Sequence, residues 1–286
     1  MTLFVFIKMS TYTKKLLKRL LFLCIVFYSM LCTGLYFLQE KLIFPASTLP
    51  QDYSFTFKEH FQEKYIPTSK SYSLHGIWFP ADSSKGAIFY LHGNGGTVDA
   101  WGRYAETYVR MGYQVFVLDY PGYGKSGGSI KDEDQLFQDV QTAYDSLCRW
   151  VPEKDVIALG YSLGTGLATR LASSHQPKML LLHAPYYNFK AMIRRRFPIF
   201  PTFLLRYQMN TNEYLTKCEM PVVIFHGDAD EVIPLQMGQQ LWAMAKPGDS
   251  LIVLEGQGHM DMTGNLVYRK ALLEILQPGD VLCRLP

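Results

Sequence analysis

The sequence predicts an α/β architecture: a mostly parallel sheet with helices packed on both faces. Three observations carry this. Apolar runs of strand length alternate with helix-spaced segments from residue 86 onward, those runs are nearly continuous in β-branched and leucine residues, and glycine-rich loops follow them. With 286 residues, 48% of them hydrophobic, the chain has material for one large core. A formal net charge of +3 is too small for a nucleic-acid binder, and the basic residues gather near the N-terminus rather than along an aromatic face. Cysteines at 24, 32, 148, 218 and 283 form no C-x-x-C pair and no metal-like spacing with histidine, which argues against a disulfide framework or a zinc site.

The first element lies outside the sheet. Residues 20–38, LLFLCIVFYSMLCTGLYFL, run without a charge and are long enough to cross a bilayer. Lys8, Lys14, Lys15, Lys18 and Arg19 precede the run, while Glu40 and Lys41 offset each other after it. The positive-inside rule therefore keeps residues 1–19 in the cytoplasm and exports the domain at 39–286. In a bacterium with two membranes that domain would face the periplasm. Met9 is an alternative start to Met1. A cleaved signal peptide competes with a retained single-span anchor, although Cys32-Thr33-Gly34 is a poor cleavage site. A buried core helix fits less well, because the run is apolar on every face.

Short strands are expected at 53–58, 63–66 and 74–80. Further strands follow at 86–92 (GAIFYLH), 114–120, 155–160, 178–184, 221–227 and 250–256. Helical spacing marks 102–112, 132–151 (opened by acidic residues that suit the helix dipole), 163–174, 234–245 and 265–276. Ligands of such a sheet bind at the carboxyl ends of its strands. Five loops of unusual composition fall there: HGNGG (92–96), DYPGYGKSGG (119–128), GYSLGTG (160–166), HGDADEVIP (226–234) and GQGHMD (256–261).

These loops supply a nucleophile, a base and an acid. A serine hydroxyl attacks only when a base takes its proton. Ser162 sits between a strand and a helix, where Gly160 and Gly164 permit the tight turn that exposes a hydroxyl. His259, in a glycine-flanked loop after the last strand, is the base candidate; His92 and His226 directly precede glycines at strand ends and read as structural. Asp228, Asp230 and Glu231 share one loop, and the acid that orients the imidazole is expected at Asp230, with Asp228 as the alternative. The GKS at 124–126 is not a phosphate loop, since Asp119 stands where its first glycine is required. Gly93-Asn94-Gly95 is likewise not a dinucleotide fingerprint, because Val98 occupies the third glycine position.

The order Ser162, Asp230, His259, together with the five loops, resembles the α/β-hydrolase superfamily, and within it the small membrane-anchored branch of serine hydrolases. LQEKLIFP directly after the anchor and LHGIWFP at 74–80 are similar to that branch too, so the resemblance runs from about residue 20 to the end. It implies Ser162 as nucleophile, His259 as base, Asp230 as acid, and the backbone amides of Asn94 and Leu163 as oxyanion donors. Relatives of the branch are esterases, acyl-protein thioesterases or serine aminopeptidase-like hydrolases. The expectation is cleavage of carboxylic esters or thioesters by a monomer that needs neither metal nor organic cofactor and binds no nucleic acid. A peptidase, or an anchored binding protein without turnover, is the alternative.

One departure stands out. Residues 185–220 are short for a cap and place Arg194, Arg195 and Arg196 beside Phe197, Phe200, Phe203 and Leu204. Two readings remain open: a partial lid resting on an anionic membrane surface, or a short helix and proline turn with solvated arginines.

Overall fold

A computed structural model describes residues 10–81 and 84–276. Lys8, Met1, Met9 and Cys283 lie outside the described residues; Cys24, Cys32, Cys148 and Cys218 are free thiols. Among the described residues eight strands form one sheet: β1 (Gln62–Pro67), β2 (Ser73–Phe79), β3 (Ala87–Leu91), β4 (Gln114–Asp119), β5 (Val156–Tyr161), β6 (Met179–His183), β7 (Val222–Gly227) and β8 (Ser250–Leu254). Their order is β1-β2-β4-β3-β5-β6-β7-β8. β2 runs antiparallel to β1 and β4, and all pairings from β4 to β8 are parallel.

Alternate residues of each central strand enter opposite cores. In β3, Phe89 and Leu91 join the core under α4 (Glu133–Leu147) and α5 (Leu163–Ala172), whereas Ile88 and Tyr90 join the other. That second core takes Trp101 from α2 (Val98–Trp101), Tyr108 from α3 (Ala105–Val109) and Tyr268 from α9 (Leu266–Leu276). Both faces are thus covered, which is why the strands read as continuous apolar runs. α8 (Leu235–Trp242) adds Met237 and Leu241 to the first core.

The structure departs from the sequence reading at two places. Residues 53–58 are not a strand: Phe55 stacks on His75 (ring centroids 5.4 Å apart) and Phe57 packs edge-on against Phe79 (5.1 Å), so ring packing holds this segment instead of a ladder. The helix expected over 102–112 is instead a 3-10 turn at Gly102–Tyr104 followed by α3, and α2 precedes it outside the expected range. Gly102 lies against Phe57 and Phe79, where a Cβ would clash with the Phe57 ring. Residues 185–220 form α6 (Phe189–Arg196), a 3-10 turn at Thr202–Leu204 and α7 (Thr211–Leu215).

The apolar run lies within a longer helix, α1 (Thr11–Ile43), of 33 residues. That is about 50 Å, against a hydrocarbon core of about 30 Å. It is the one described helix long and apolar enough to cross a membrane, and nearly all of it is exposed. Its C-terminal part is held by the segment after α6. The Tyr28 hydroxyl donates to the Ile199 carbonyl (2.7 Å), Gln39 exchanges hydrogen bonds with the backbone of Leu204 and Arg206 (2.9 and 2.8 Å), Arg206 pairs with Glu40, and Phe44 packs on Tyr207 (4.9 Å).

His183 at the end of β6 is fully buried, beside the Tyr268 hydroxyl at 3.3 Å, and burial pushes its pKa down to about 3. An unfolded histidine titrates near 6.5, so the unfolded chain binds the extra proton first as pH falls. The stability that neutral His183 contributes is complete above about pH 6.5 and lost as pH falls toward 3. Melting temperature measured between pH 7 and 4 should fall with acid, and the slope should flatten in His183→Gln.

Candidate active site

The site begins with a backbone constraint. β5 ends at Tyr161, Ser162 adopts φ 51° and ψ −115°, and α5 starts at Leu163. Positive φ in a residue with a Cβ is strained and persists only where the surroundings over-determine it. Here the Ser162 amide donates to the His183 carbonyl (2.9 Å), and the helix closes back through Thr165, whose amide and hydroxyl both donate to the Ser162 carbonyl (2.9 and 2.6 Å). A Cβ on Gly164 would overlap the Leu91 carbonyl, and one on Gly160 would meet the backbone of Gly164. β5, α5 and the end of β3 therefore touch through bare backbone, and the turn lifts the Ser162 side chain above the strand ends.

His259 lies beyond β8 and reaches over the sheet edge. Its Nε2 stands 3.0 Å from Ser162 Oγ and its Nδ1 stands 2.7 Å from Asp230 Oδ2. The Tyr161 hydroxyl donates to the His259 carbonyl at 2.6 Å, anchoring the loop to the strand that carries the serine. Asp230 follows β7, and its other oxygen accepts the amides of Val232 (2.9 Å) and Ile233 (2.8 Å). Burial alone would raise the Asp230 carboxyl; the hydrogen bond and charge of His259, with those two amides, outweigh it and hold the group below the usual carboxylate range. Asp230 is therefore an anion at neutral pH and favours the tautomer in which Nδ1 carries the proton and Nε2 is free to accept one. Asp228, two residues away, instead accepts the Gly256 amide at 2.7 Å and braces the loop.

Leu163 supplies the first amide of α5, at the positive end of the helix dipole. The HGNGG loop crosses directly above: a Cβ on Gly93 would lie 3.5 Å from the Ser162 Cβ, with Asn94 next in the chain. Asn94 is held from behind by Tyr123, whose hydroxyl lies 3.2 Å from both its carbonyl and its side-chain oxygen. Trp101 Nε1 donates to the Gly95 carbonyl (2.6 Å), Tyr120 to the His92 carbonyl (2.7 Å), and Asp119 accepts the Val98 amide (2.9 Å). The sequence marked DYPGYGKSGG as unusual, but the bracing by Tyr120 and Tyr123, and that by Trp101 and Tyr161, had no signal in residue order. They are ordinary aromatic positions until the fold aims their polar ends.

His92, His226 and the lysine of GKS are structural. His92 Nδ1 lies 2.7 Å from the Gly93 carbonyl and His226 Nε2 2.8 Å from the Ile233 carbonyl. Lys125, 4% exposed, pairs with Glu63 at 2.8 Å under the Phe55 ring. A cleft of about 900 Å³ lined by Phe57, Glu106, Arg110, Asp261 and Arg269 includes neither Ser162 nor His259. Hydrogen-bond geometry, not volume, locates the chemistry.

Residues 82–204 match the family described as Serine aminopeptidase, S33. The chain is 31% identical over 190 residues to the lysophosphatidylserine lipase ABHD12 of Danio rerio, covering 59% of this chain and 50% of that protein. It is 25% identical over 253 residues to the uncharacterized protein YfhR of Escherichia coli O157:H7, covering 84% and 85%. The chain thus spans about half the length of the ABHD12 relatives it matches. Among solved structures, the Pyrococcus furiosus esterase Pf2001 superposes with a TM-score of 0.66 at 18% identity, covering 82% of this chain and 96% of that one. The bromoperoxidase of Bacillus anthracis superposes at 0.59 and 16% identity, covering 76% and 100%. At such identities the structures speak for the fold.

Two expectations follow. Asp230→Asn should lower kcat on an activated ester by about 10⁴, because the imidazole loses its tautomer, while Asp228→Asn should stay within about tenfold of the wild type. Gly164→Ala should cost roughly 1–3 kcal/mol or more in a urea melt, since its Cβ has only the Leu91 backbone to displace.

Proposed function

We propose that this chain, a member of the α/β-hydrolase superfamily, is a membrane-anchored serine hydrolase of carboxylic esters or thioesters. The single observation that supports this most is the unbroken relay Ser162 Oγ, His259 Nε2, His259 Nδ1, Asp230 Oδ2, with steps of 3.0 and 2.7 Å. In this reading Ser162 Oγ bonds to the substrate carbonyl carbon as His259 Nε2 takes its proton. Negative charge then develops on the carbonyl oxygen, which the amides of Asn94 and Leu163 receive. One such donor is worth about 3 kcal/mol of barrier. Collapse breaks the bond to the alcohol or thiol, which leaves with the proton held by His259. Water, deprotonated by the same imidazole, attacks the acyl carbon; the bond to Ser162 Oγ breaks, the acid is released and the proton on His259 returns to Oγ. No step calls for a metal or organic cofactor.

Residues 20–38 serve as the anchor, residues 1–19 stay in the cytoplasm and the hydrolase domain at 39–286 lies on the exported side, as the clustered lysines favour. The relation to lysophosphatidylserine lipases favours a lipid ester among possible substrates. The protein acts as a monomer and engages no nucleic acid.

Full-length protein should react with a fluorophosphonate probe and hydrolyse p-nitrophenyl esters, whereas Ser162→Ala should not be labelled and should lose roughly 10⁴ to 10⁶ in kcat. His259→Ala should lose about as much. Turnover of aminoacyl anilides in preference to esters and thioesters would point to a peptidase instead, and wild-type rates in Ser162→Ala would remove the mechanism.

A further inference from the structure

The contact between Tyr28 and Ile199 has a consequence for the cap. Tyr28 lies inside the apolar stretch 20–38, ten residues before Leu38, which is about 15 Å along a helix axis. The far edge of the hydrocarbon cannot sit at Tyr28. A span of about 20 residues ending there would start near residue 8 and submerge Lys14, Lys15, Lys18 and Arg19. Allowing those four to snorkel by a full turn brings the edge back only to about residue 34, still roughly 9 Å beyond Tyr28. Because the Tyr28 hydroxyl bonds the Ile199 carbonyl at 2.7 Å, Ile199 shares that depth.

The residues around Ile199 suit that position. Phe197, Ile199 and Phe203 are 56, 79 and 85% exposed, in a segment where Pro198 and Pro201 withhold two backbone donors that would otherwise need partners in lipid. On one side stand the exposed Arg194, Arg195 and Arg196 at the end of α6; among the described residues none forms an ion pair. On the other side Arg206, with Gln39 and Glu40, makes a polar lock one and a half turns or more closer to the domain than residue 34. The order along the chain is basic, apolar, polar.

We propose that residues 197–203 dip into the outward-facing leaflet beside α1, with Phe197, Ile199 and Phe203 among the acyl chains and Arg194 to Arg196 on anionic phospholipid headgroups. The depth expected, about 5–10 Å or a little more, is that of an interfacial amphipathic segment. Residues 28–43 of α1 then form a strut that fixes the domain on the surface. α6 is eight residues long and spans about 12 Å. It starts near Tyr186, whose hydroxyl lies 3.3 Å from the Leu163 carbonyl beside Ser162, so the nucleophile is held within a short reach of lipid esters in that leaflet. This rests on the anchored-hydrolase reading above.

The test uses the full chain in vesicles of phosphatidylcholine and phosphatidylglycerol, with or without bromine on the acyl chains. Ile199→Trp and Phe203→Trp should each lose about half or more of their added emission in the brominated vesicles, while Leu266→Trp, at the exposed first position of α9, should lose about a tenth or less. Emission from 199 and 203 that behaves like that from 266 overturns the proposal. Phe22→Trp reads the anchor itself: quenching there without quenching at 199 and 203 removes the dip alone, and no quenching at any of the three removes the anchor with it. Fluorophosphonate labelling of the same samples reports the serine chemistry separately. As a second arm, combining Ile199→Glu with Phe203→Glu should cut hydrolysis of a vesicle-borne long-chain ester about tenfold while a short soluble ester stays within about twofold. Equal effects on both esters would overturn the role of the dip in reaching lipid.

Discussion

The structure depends on one backbone reversal. Between β5 and α5 the chain must turn from strand to helix in a single residue, and it does so at a serine with positive φ. Only the missing Cβ atoms at Gly160 and Gly164 let α5 approach β5 and the end of β3 closely enough for this. The strain has a use. It lifts a side chain off the sheet while placing the amide of the next residue at a helix N-terminus, so in the proposed mechanism nucleophile and one anion donor come from the same turn. The surrounding hydrogen bonds, from Thr165 and to His183, keep the turn from relaxing.

Around that fixed point the other loops are braced by polar ends of buried aromatic residues. Tyr161 holds the His259 loop, Tyr123 and Trp101 hold the HGNGG loop, and each is itself locked in a packed core. In the proposed mechanism the physical gain is preorganisation: loops braced before charge develops need little reorganisation during reaction. Asp230 follows the same logic. Its carboxylate is buried, yet two amides and an imidazole compensate it, so it stays charged where an uncompensated group would take up a proton.

The helix that precedes the domain is joined to it by more than a peptide linkage. The lock of Gln39, Glu40 and Arg206, and the contact of Tyr28 with Ile199, tie α1 to the short cap over several turns. A tethered domain would sample all orientations over a membrane. In the proposed arrangement a domain strutted in this way would keep one face down, and the three arginines and three exposed apolar side chains of the cap are residues that a lipid surface accommodates.

Sequence alone determined the parallel sheet, because strands buried on both faces must be apolar throughout and their helices must alternate with them. It also determined the chain order of serine, acid and histidine, because the glycine and aspartate patterns of those loops are dictated by local backbone needs. It missed that 53–58 is held by stacked rings and that Gly102–Tyr104 is a 3-10 turn with Gly102 packed on Phe57, since both involve contacts between segments with no shared periodicity. Asp228 and Asp230 stand two residues apart in one loop and were separable only by direction: one side chain points to the Gly256 amide, the other to His259. The contact of the cap with α1 is likewise a tertiary fact, made by a hydrogen bond between residues 171 positions apart. Local chemistry is written in residue order, whereas distances between remote side chains exist only once the chain has closed on itself.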